Sequence, residues 1–388
     1  MSKISTFCAV LKALPHRAFD ESVARHQADK YCKHFSHWDH LVAMLYAQLS
    51  GASSLRVLEL SFNSHRMCRK SLCVAAVRRS TLADANERRA GIVFDDTAAW
   101  LISQVSRKLR QHSKELMYLL DSTSITLKGR EFDHWTLDNR TRNTQGIKLH
   151  VLLDAVTRVP AWYRFSAPNV NDVEQATNVP LRADALYVFD KGYCDFNWWQ
   201  RIHASGAHFV TRFKSNAALV SLEERQVPAA ESELILRDEI VRCKRKYVGS
   251  LRVNYYDQPL RRIVVQSPDR TSPLVLATND LVSKASDIAQ RYKERWAIEL
   301  FFKWVKQHLK IKKFFGRSAN AVHNQIVTAL IGYLLVALYR HVHSMTCTLW
   351  ECLSLIRANL LAPAVNDATL ASIRKRKPTT QAMSEYVQ

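Results

Sequence analysis

The 388 residues include 56 Lys and Arg against 35 Asp and Glu, a formal net charge of +21 at pH 7. At 47% hydrophobic and 23% charged residues, the composition supplies a sizeable core and excludes a chain disordered throughout. The positive excess points to a polyanion such as nucleic acid as partner.

Residues 1 to 114 carry 18 Lys/Arg and 9 Asp/Glu on helical spacing. Ser36 to Asp39 reads as a capping box opening a helix through Leu41, Val42, Leu45 and Leu49, which Gly51 stops. Ser53 or Ser54 then caps a second helix, Leu55 to Phe62. Two helices around a short turn in a basic setting fit helix-turn-helix geometry, and fit an ordinary helical hairpin as well. Between Arg78 and Arg89, Ser80 or Thr81 is the expected cap of a short helix with four arginines around it, Arg78 and Arg79 among them. Such a face suits phosphate contact.

From Glu115 the pattern turns strand-like. Leu116 to Leu120 ends at Asp121; Ile147 to Asp154 and Pro160 to Phe165 form a hairpin; Ala185 to Phe189 ends at Asp190. A helix, Asn197 to Ala204, precedes a strand, His208 to Phe213, at whose end Arg212 and Lys214 read as DNA contacts or, equally, as solvent-facing charges. Lys148 and His150 lie on the strand after Asp121, and parity alone leaves open which face they take. Alternating segments between about 215 and 282 (Leu234 to Val241, Leu251 to Tyr256, Leu260 to Val265, Leu274 to Thr278) make a β-rich insertion, and Ser283 to Leu309 reads as one long helix. These elements predict an α/β fold with a mixed sheet.

The longest apolar run, Ile326 to Tyr339, is short of the roughly 20 residues a membrane-spanning helix needs. With no signal-peptide core at the start, the expected location is the cytoplasm. Eight cysteines without a C-x-x-C pair read as reduced thiols, and the tail from Pro363 is polar.

An acid at the carboxyl end of a buried strand is where α/β proteins place ligands and metals, and Asp121 and Asp190 both meet that description. On a continuous helix Tyr292, Arg295, Glu299 and Lys306 fall within about 60° of one another, with Lys303 and Lys310 beside them. Residues 284 to 317 hold ten Lys/Arg and three Asp/Glu. One carboxylate in a cationic row suits a metal ligand whose neighbours hold phosphates. Three carboxylates can hold two hard divalent cations for in-line phosphoryl transfer.

The spacing of Tyr292, Arg295, Glu299 and Lys306 matches a Y-x2-R-x3-E-x6-K signature, and Asp121-Ser-Thr, Asp190-Lys-Gly-Tyr193 and Arg79-Ser-Thr-Leu-Ala-Asp-Ala-Asn86 match further blocks. In these the chain resembles the DDE transposases of bacterial insertion sequences, specifically the IS-four family. The resemblance implies a ribonuclease-H-like core over residues 96–345 and a helical amino-terminal domain over 1–95 that binds DNA; beyond it, residues 346–388 read as a carboxyl-terminal helical segment and polar tail. It implies that Asp121, Asp190 and Glu299 are catalytic and hold two Mg²⁺, with Mn²⁺ able to substitute. The substrate is then double-stranded DNA, cut at terminal inverted repeats and joined to a target by a homodimer at the bacterial nucleoid, with no membrane or small-molecule partner. Arg295 and Lys306 would contact end phosphates and Tyr292 would lie near the terminal phosphate; Trp296 would stack on a displaced base or pack in the core. Competing readings are a nuclease without strand transfer and a DNA-binding regulator with an inactive core.

Overall fold

The computed structural model describes residues 4–110, 115–244, 253–266, 272–309, 311 and 313–362. In chain order the helices are α1 (Thr6–Leu11), α2 (His16–Arg25), α3 (His37–Ser50), α4 (Leu55–Asn63), α5 (Arg66–Ser71), α6 (Arg79–Arg88), α7 (Ile92–Leu109), α8 (Asp133–Thr136), α9 (Asp172–Ala176), α10 (Phe196–Ala204), α11 (Ala285–Lys293), α12 (Trp296–His308), α13 (Ala319–Val342) and α14 (Leu349–Ala358). The strands are β1 (Met117–Thr126), β2 (Gly146–Asp154), β3 (Pro160–Ser166), β4 (Leu186–Phe189), β5 (His208–Arg212), β6 (Leu219–Arg225), β7 (Ile235–Cys243), β8 (Leu260–Val265) and β9 (Leu274–Thr278). Among the described residues, those of 1–111, 129–135 and 303–388 form one compact unit, and those of 112–128 and 136–302 the other. The carboxyl-terminal helices thus share a unit with the amino-terminal ones.

In the helical unit the capping box at α3 is present: Ser36 N donates to Asp39 Oδ2 at 2.8 Å and Asp39 N to Ser36 Oγ at 3.1 Å. Gly51 closes α3 at φ 73°, a conformation that favours glycine, and Ser54 caps α4. The two helices bend by 101° across the intervening turn, within the helix-turn-helix range. The cap expected at Ser80 or Thr81 is not where α6 starts. Arg78 takes the cap position without a side-chain bond, Glu59 accepts the Arg79 amide at 3.0 Å instead, and Ser80 and Thr81 stand exposed inside the helix.

The apolar run at Ile326 proves part of a longer element. α13 has 24 residues, enough by length and composition to cross a membrane, but its side chains from Ala321 to Tyr339 are buried in the unit's own core, His323 excepted. All eight cysteines are free thiols. The expectation for the tail from Pro363 lies outside the described residues.

His40 is fully buried in this unit with Nε2 2.8 Å from Asn86 Oδ1, and burial pushes its pKa from 6.5 down to about 3. The unfolded chain therefore takes up this proton first. The contribution is full above pH 6.5 and is lost as pH falls from 6.5 toward about 3, at about tenfold in the folding constant per pH unit. The unfolding midpoint should drop between about pH 7 and about pH 5, and His40→Gln should flatten that dependence; an equal slope in both proteins contradicts it.

In the second unit one nine-stranded sheet runs β3-β2-β1-β4-β5-β9-β8-β7-β6. β1, β2 and β3 pair antiparallel, while β4 lies parallel to β1 and β5 parallel to β4, the mixed order implied for a ribonuclease-H-like core. Gly146 opens β2 at φ 154°, where an added Cβ would stand 2.1 Å from Ile125 O; glycine is what allows this end of β2 to reach β1. The apolar layer on one face, Tyr187, Phe189, Trp198, Trp199 and Phe209 among it, fixes β4, β5 and α10 together.

The insertion is a continuation of the same sheet. β6 to β9 form an antiparallel meander joined to β5 through β9, braced by a buried Arg261–Asp238 pair at 2.8 and 2.6 Å. β6 went unread in the sequence because it is an exposed edge strand with weak apolar alternation. The strand expected at Leu251 to Tyr256 lies partly outside the described residues, and its described part makes only an isolated bridge at Val253.

Candidate active site

The parallel ladder of β1 and β4 pairs Leu120 with Phe189, so the next residues, Asp121 and Asp190, emerge side by side. β4 ends there. β1 does not: Asp121 sits inside the strand, which β2 holds in antiparallel register to Thr126. What changes at Asp121 is the loss of a partner on one edge, which opens room beside it.

On the other edge of β4, Val188 pairs with Val210 of β5, and the same register carries Arg212 alongside Asp190. Its guanidinium donates to Asp190 Oδ1 from Nε at 3.1 Å and from Nη2 at 2.5 Å. Tyr292 on α11 donates its hydroxyl to the same oxygen at 3.3 Å.

The single long helix expected over Ser283 to Leu309 is two. α11 and α12 are separated at Glu294 and Arg295, where the backbone tightens into i→i+3 bonds, Arg295 N to Tyr292 O at 3.1 Å and Ala297 N to Glu294 O at 3.0 Å. No glycine or proline marks the break, so periodicity could not reveal it. One-strip arithmetic across it therefore fails for Tyr292. Arg295, at the break, still reaches both sides: Nη2 lies 2.7 Å from Glu299 Oε1, Nη1 3.9 Å from Asp121 Oδ2, and the guanidinium is 5.8 Å from the Tyr292 ring centroid.

Of the three carboxylates, from β1, the end of β4 and the first turn of α12, Arg295 links Asp121 and Glu299 while Arg212 holds Asp190. Burial raises the Asp121 pKa to about 6; Glu299 and Asp190 push the same way, against the Ser122 amide and Arg295. Burial also works upward on Asp190, but the Arg212 hydrogen bonds and the Lys191 amide outweigh it and hold the carboxyl below its usual value. The donor set is all oxygen and hard, which suits a divalent cation of the Mg²⁺ or Mn²⁺ type. A bound cation would relieve the repulsion that Glu299 and Asp190 add to that burial, and the residues present fit it. A tighter group of metal-type ligand atoms, within 4.8 Å of one another, is Asp29, Cys32 and His37, but Arg89 Nη2 stands 3.4 Å from Cys32 Sγ and supplies the positive charge there.

Trp296 is 53% exposed, which removes its core-packing alternative. Lys214 and Lys303 are exposed and Lys306 is half-buried, the latter two on the part of α12 that belongs to the helical unit. Arg78 and Arg79 are exposed at the start of α6, and Lys310 lies outside the described residues. Lys148 and His150 pair across from Ser124 and Ser122, so they take the face opposite Asp121. There they surround Asp172, a residue the sequence reading passed over because an acid after Asn171 looks like any helix start.

Residues 112–335 match a family described as Transposase DDE domain, and residues 2–69 match a Domain of unknown function (DUF4372). The chain is 37% identical over 267 residues to the Putative transposase y4zB of Sinorhizobium fredii, which covers 68% of this chain and 72% of that protein. It is 28% identical to the Probable transposase for insertion sequence element IS5377 of Geobacillus stearothermophilus, over 67% of each chain. It is 25% identical to the Putative transposase for insertion sequence element IS4SA of Synechocystis, over 73% of this chain and 78% of that one. Among solved structures, the piggyBac transposase synaptic complex with hairpin DNA aligns at a TM-score of 0.47 and 10% identity, covering 98% of this chain and 82% of that chain.

Proposed function

Because the chain belongs to the family of insertion-sequence transposases with a DDE domain, we propose that it cleaves and joins DNA at the terminal inverted repeats of its element by a cut-and-paste route. We read it as a member of the IS-four branch, on the Tyr292, Arg295, Glu299 and Lys306 spacing. The observation that carries the reading is the convergence of Asp121, Asp190 and Glu299 around Arg212 and Arg295.

In this reading the three acids hold two Mg²⁺, for which Mn²⁺ substitutes. Bound there, the ions supply activation of a water or 3′-hydroxyl and stabilise the leaving oxygen. Arg295 orients Glu299 and Asp121, while Arg212 and Tyr292 orient Asp190. Lys214, Lys303, Lys306 and Lys310 supply charge for the DNA backbone. In the helical unit, Arg78 and Arg79 do the same beside the α3–α4 pair, whose bend of 101° suits a groove. The working form is a homodimer on double-stranded DNA, acting at the bacterial nucleoid.

Two outcomes follow. Arg78→Ala with Arg79→Ala should weaken duplex binding evenly across sequences and shallow the salt dependence by roughly one phosphate contact per arginine; an unchanged slope removes them from the interface. Trp296→Ala should leave the melting temperature nearly unchanged, since the ring is 53% exposed, while slowing any step that needs a base stacked outside the duplex. Unimpaired strand release and joining in that variant would count against stacking.

The proposal is tested by supplying pre-cut duplexes with free 3′-hydroxyls, taken from the DNA bordering the chain's own gene, with a target plasmid and Mg²⁺. Joined product is expected. Cleavage of uncut ends without any joining would make the chain a nuclease.

A further inference from the structure

Behind the sheet, on the face opposite the Asp121 carboxylate, lies a half-buried polar cluster that the proposed chemistry does not use. Asp172 Oδ1 accepts the Ser122 hydroxyl at 2.8 Å and the Lys148 ammonium at 3.3 Å, and His150 Nδ1 lies 3.7 Å away. Lys148 also donates to Val170 O at 2.8 Å, and His150 Nε2 meets Ser166 Oγ at 2.8 Å. Asp172 is thereby fixed from β1 and β2, with its β2 partners held in turn by β3 and by the loop at Val170.

Two links lead from it to the acids. Ser122 is a pivot: its hydroxyl is held by Asp172, and its amide donates to Asp121 Oδ1 at 2.8 Å. The turn after Asp190, Lys191 to Tyr193, also lies against α9, the helix that Asp172 opens. Side chains alternate along a strand, so Ser122 and Asp172 lie on the face opposite the Asp121 carboxylate. Asp172 therefore cannot be a fourth ligand alongside Asp121.

We propose that Asp172 is a positioning residue, which through Ser122 and the Gly192 turn sets the orientation of the Asp121 and Asp190 carboxylates. The inference rests on the metal-dependent reading above. A carboxylate whose free oxygens must meet a cation has to be held at a fixed rotation. Ser122 does so from the backbone side, and Asp172 keeps Ser122 in place.

The test titrates Mn²⁺ alone into the full-length protein, following free Mn²⁺ by electron paramagnetic resonance, with a melting curve for each variant. Asp172→Ala and Ser122→Ala should each weaken Mn²⁺ binding by about 10- to 100-fold, and the double variant no more than the stronger single one, because both act on one link. Asp172→Asn keeps an acceptor for the Ser122 hydroxyl and should retain affinity within about threefold. In cleavage assays kcat should fall while KM for the duplex holds. A lowered melting temperature with unchanged Mn²⁺ affinity in Asp172→Ala, or additive losses in the double variant, overturns the inference. If Asp172→Ala does not fold, Ser122→Ala and Asp172→Asn carry the same comparison. A wild-type protein that binds no Mn²⁺ would overturn the metal reading itself, and this inference with it.

Discussion

Asp121→Asn, Asp190→Asn and Glu299→Gln should each lower DNA cleavage by about 10³-fold or more while leaving duplex affinity within a few-fold. Each amide keeps the shape of the carboxylate and removes its negative charge. In the proposed reading that charge holds the divalent cation, and a neutral amide is a far poorer ligand for a hard ion. The same exchange leaves Arg295 or Arg212 donating to a neutral amide oxygen in place of a carboxylate, so the charge pairing at Glu299 or Asp190 is lost as well. In the same reading DNA affinity is carried by surface cations elsewhere, and removing one negative charge does not reduce it. The measurement is a single-turnover cleavage rate beside a binding isotherm for each variant. Substantial residual cleavage in any one would remove that residue from the proposed triad.

Arg295→Lys should cost about 10- to 100-fold in cleavage with duplex binding preserved. If Arg295 were chiefly a phosphate contact, lysine would serve nearly as well, because a phosphate accepts a point charge. Its position argues otherwise. The side chain is only 14% exposed, and its two terminal nitrogens face different acids, Glu299 at 2.7 Å and Asp121 at 3.9 Å. A planar fork spans that gap and a single ammonium does not. Near-normal cleavage in Arg295→Lys, with a change in salt dependence, would return Arg295 to the DNA-contacting set. Arg212 follows the same logic, since its guanidinium is engaged by Asp190.

Much of this was legible in the sequence where a local rule governs. The Ser36–Asp39 box, the Gly51 stop and the apolar runs of β1, β4 and β5 each follow from short-range chemistry, and all appear in the fold. The two aspartates were legible as acids ending apolar runs, though the sequence could not tell that β1 continues beyond Asp121 on antiparallel pairing alone. The break at Glu294 was hidden because a tightened turn needs no special residue. The α6 start was misread because Glu59, twenty positions away, satisfies an amide that a local cap was expected to satisfy.

Long-range partnerships are the part a single sequence withholds. The engagement of Arg212 by Asp190 comes from strand register, and Asp172 matters through a serine fifty residues earlier. Both depend on which strands lie side by side, which hydrophobic patterning does not encode.

The central claim is that the three acids form a metal-dependent centre for cutting DNA at the element's ends. Its most direct test is to incubate the full chain with a labelled duplex spanning the border between its own element and flanking DNA, with Mg²⁺ in one arm and EDTA in the other. The account predicts nicking at the border in Mg²⁺ and none in EDTA. Binding of the duplex with no nicking in Mg²⁺ or Mn²⁺ would contradict it and leave a DNA-binding protein with an inactive core.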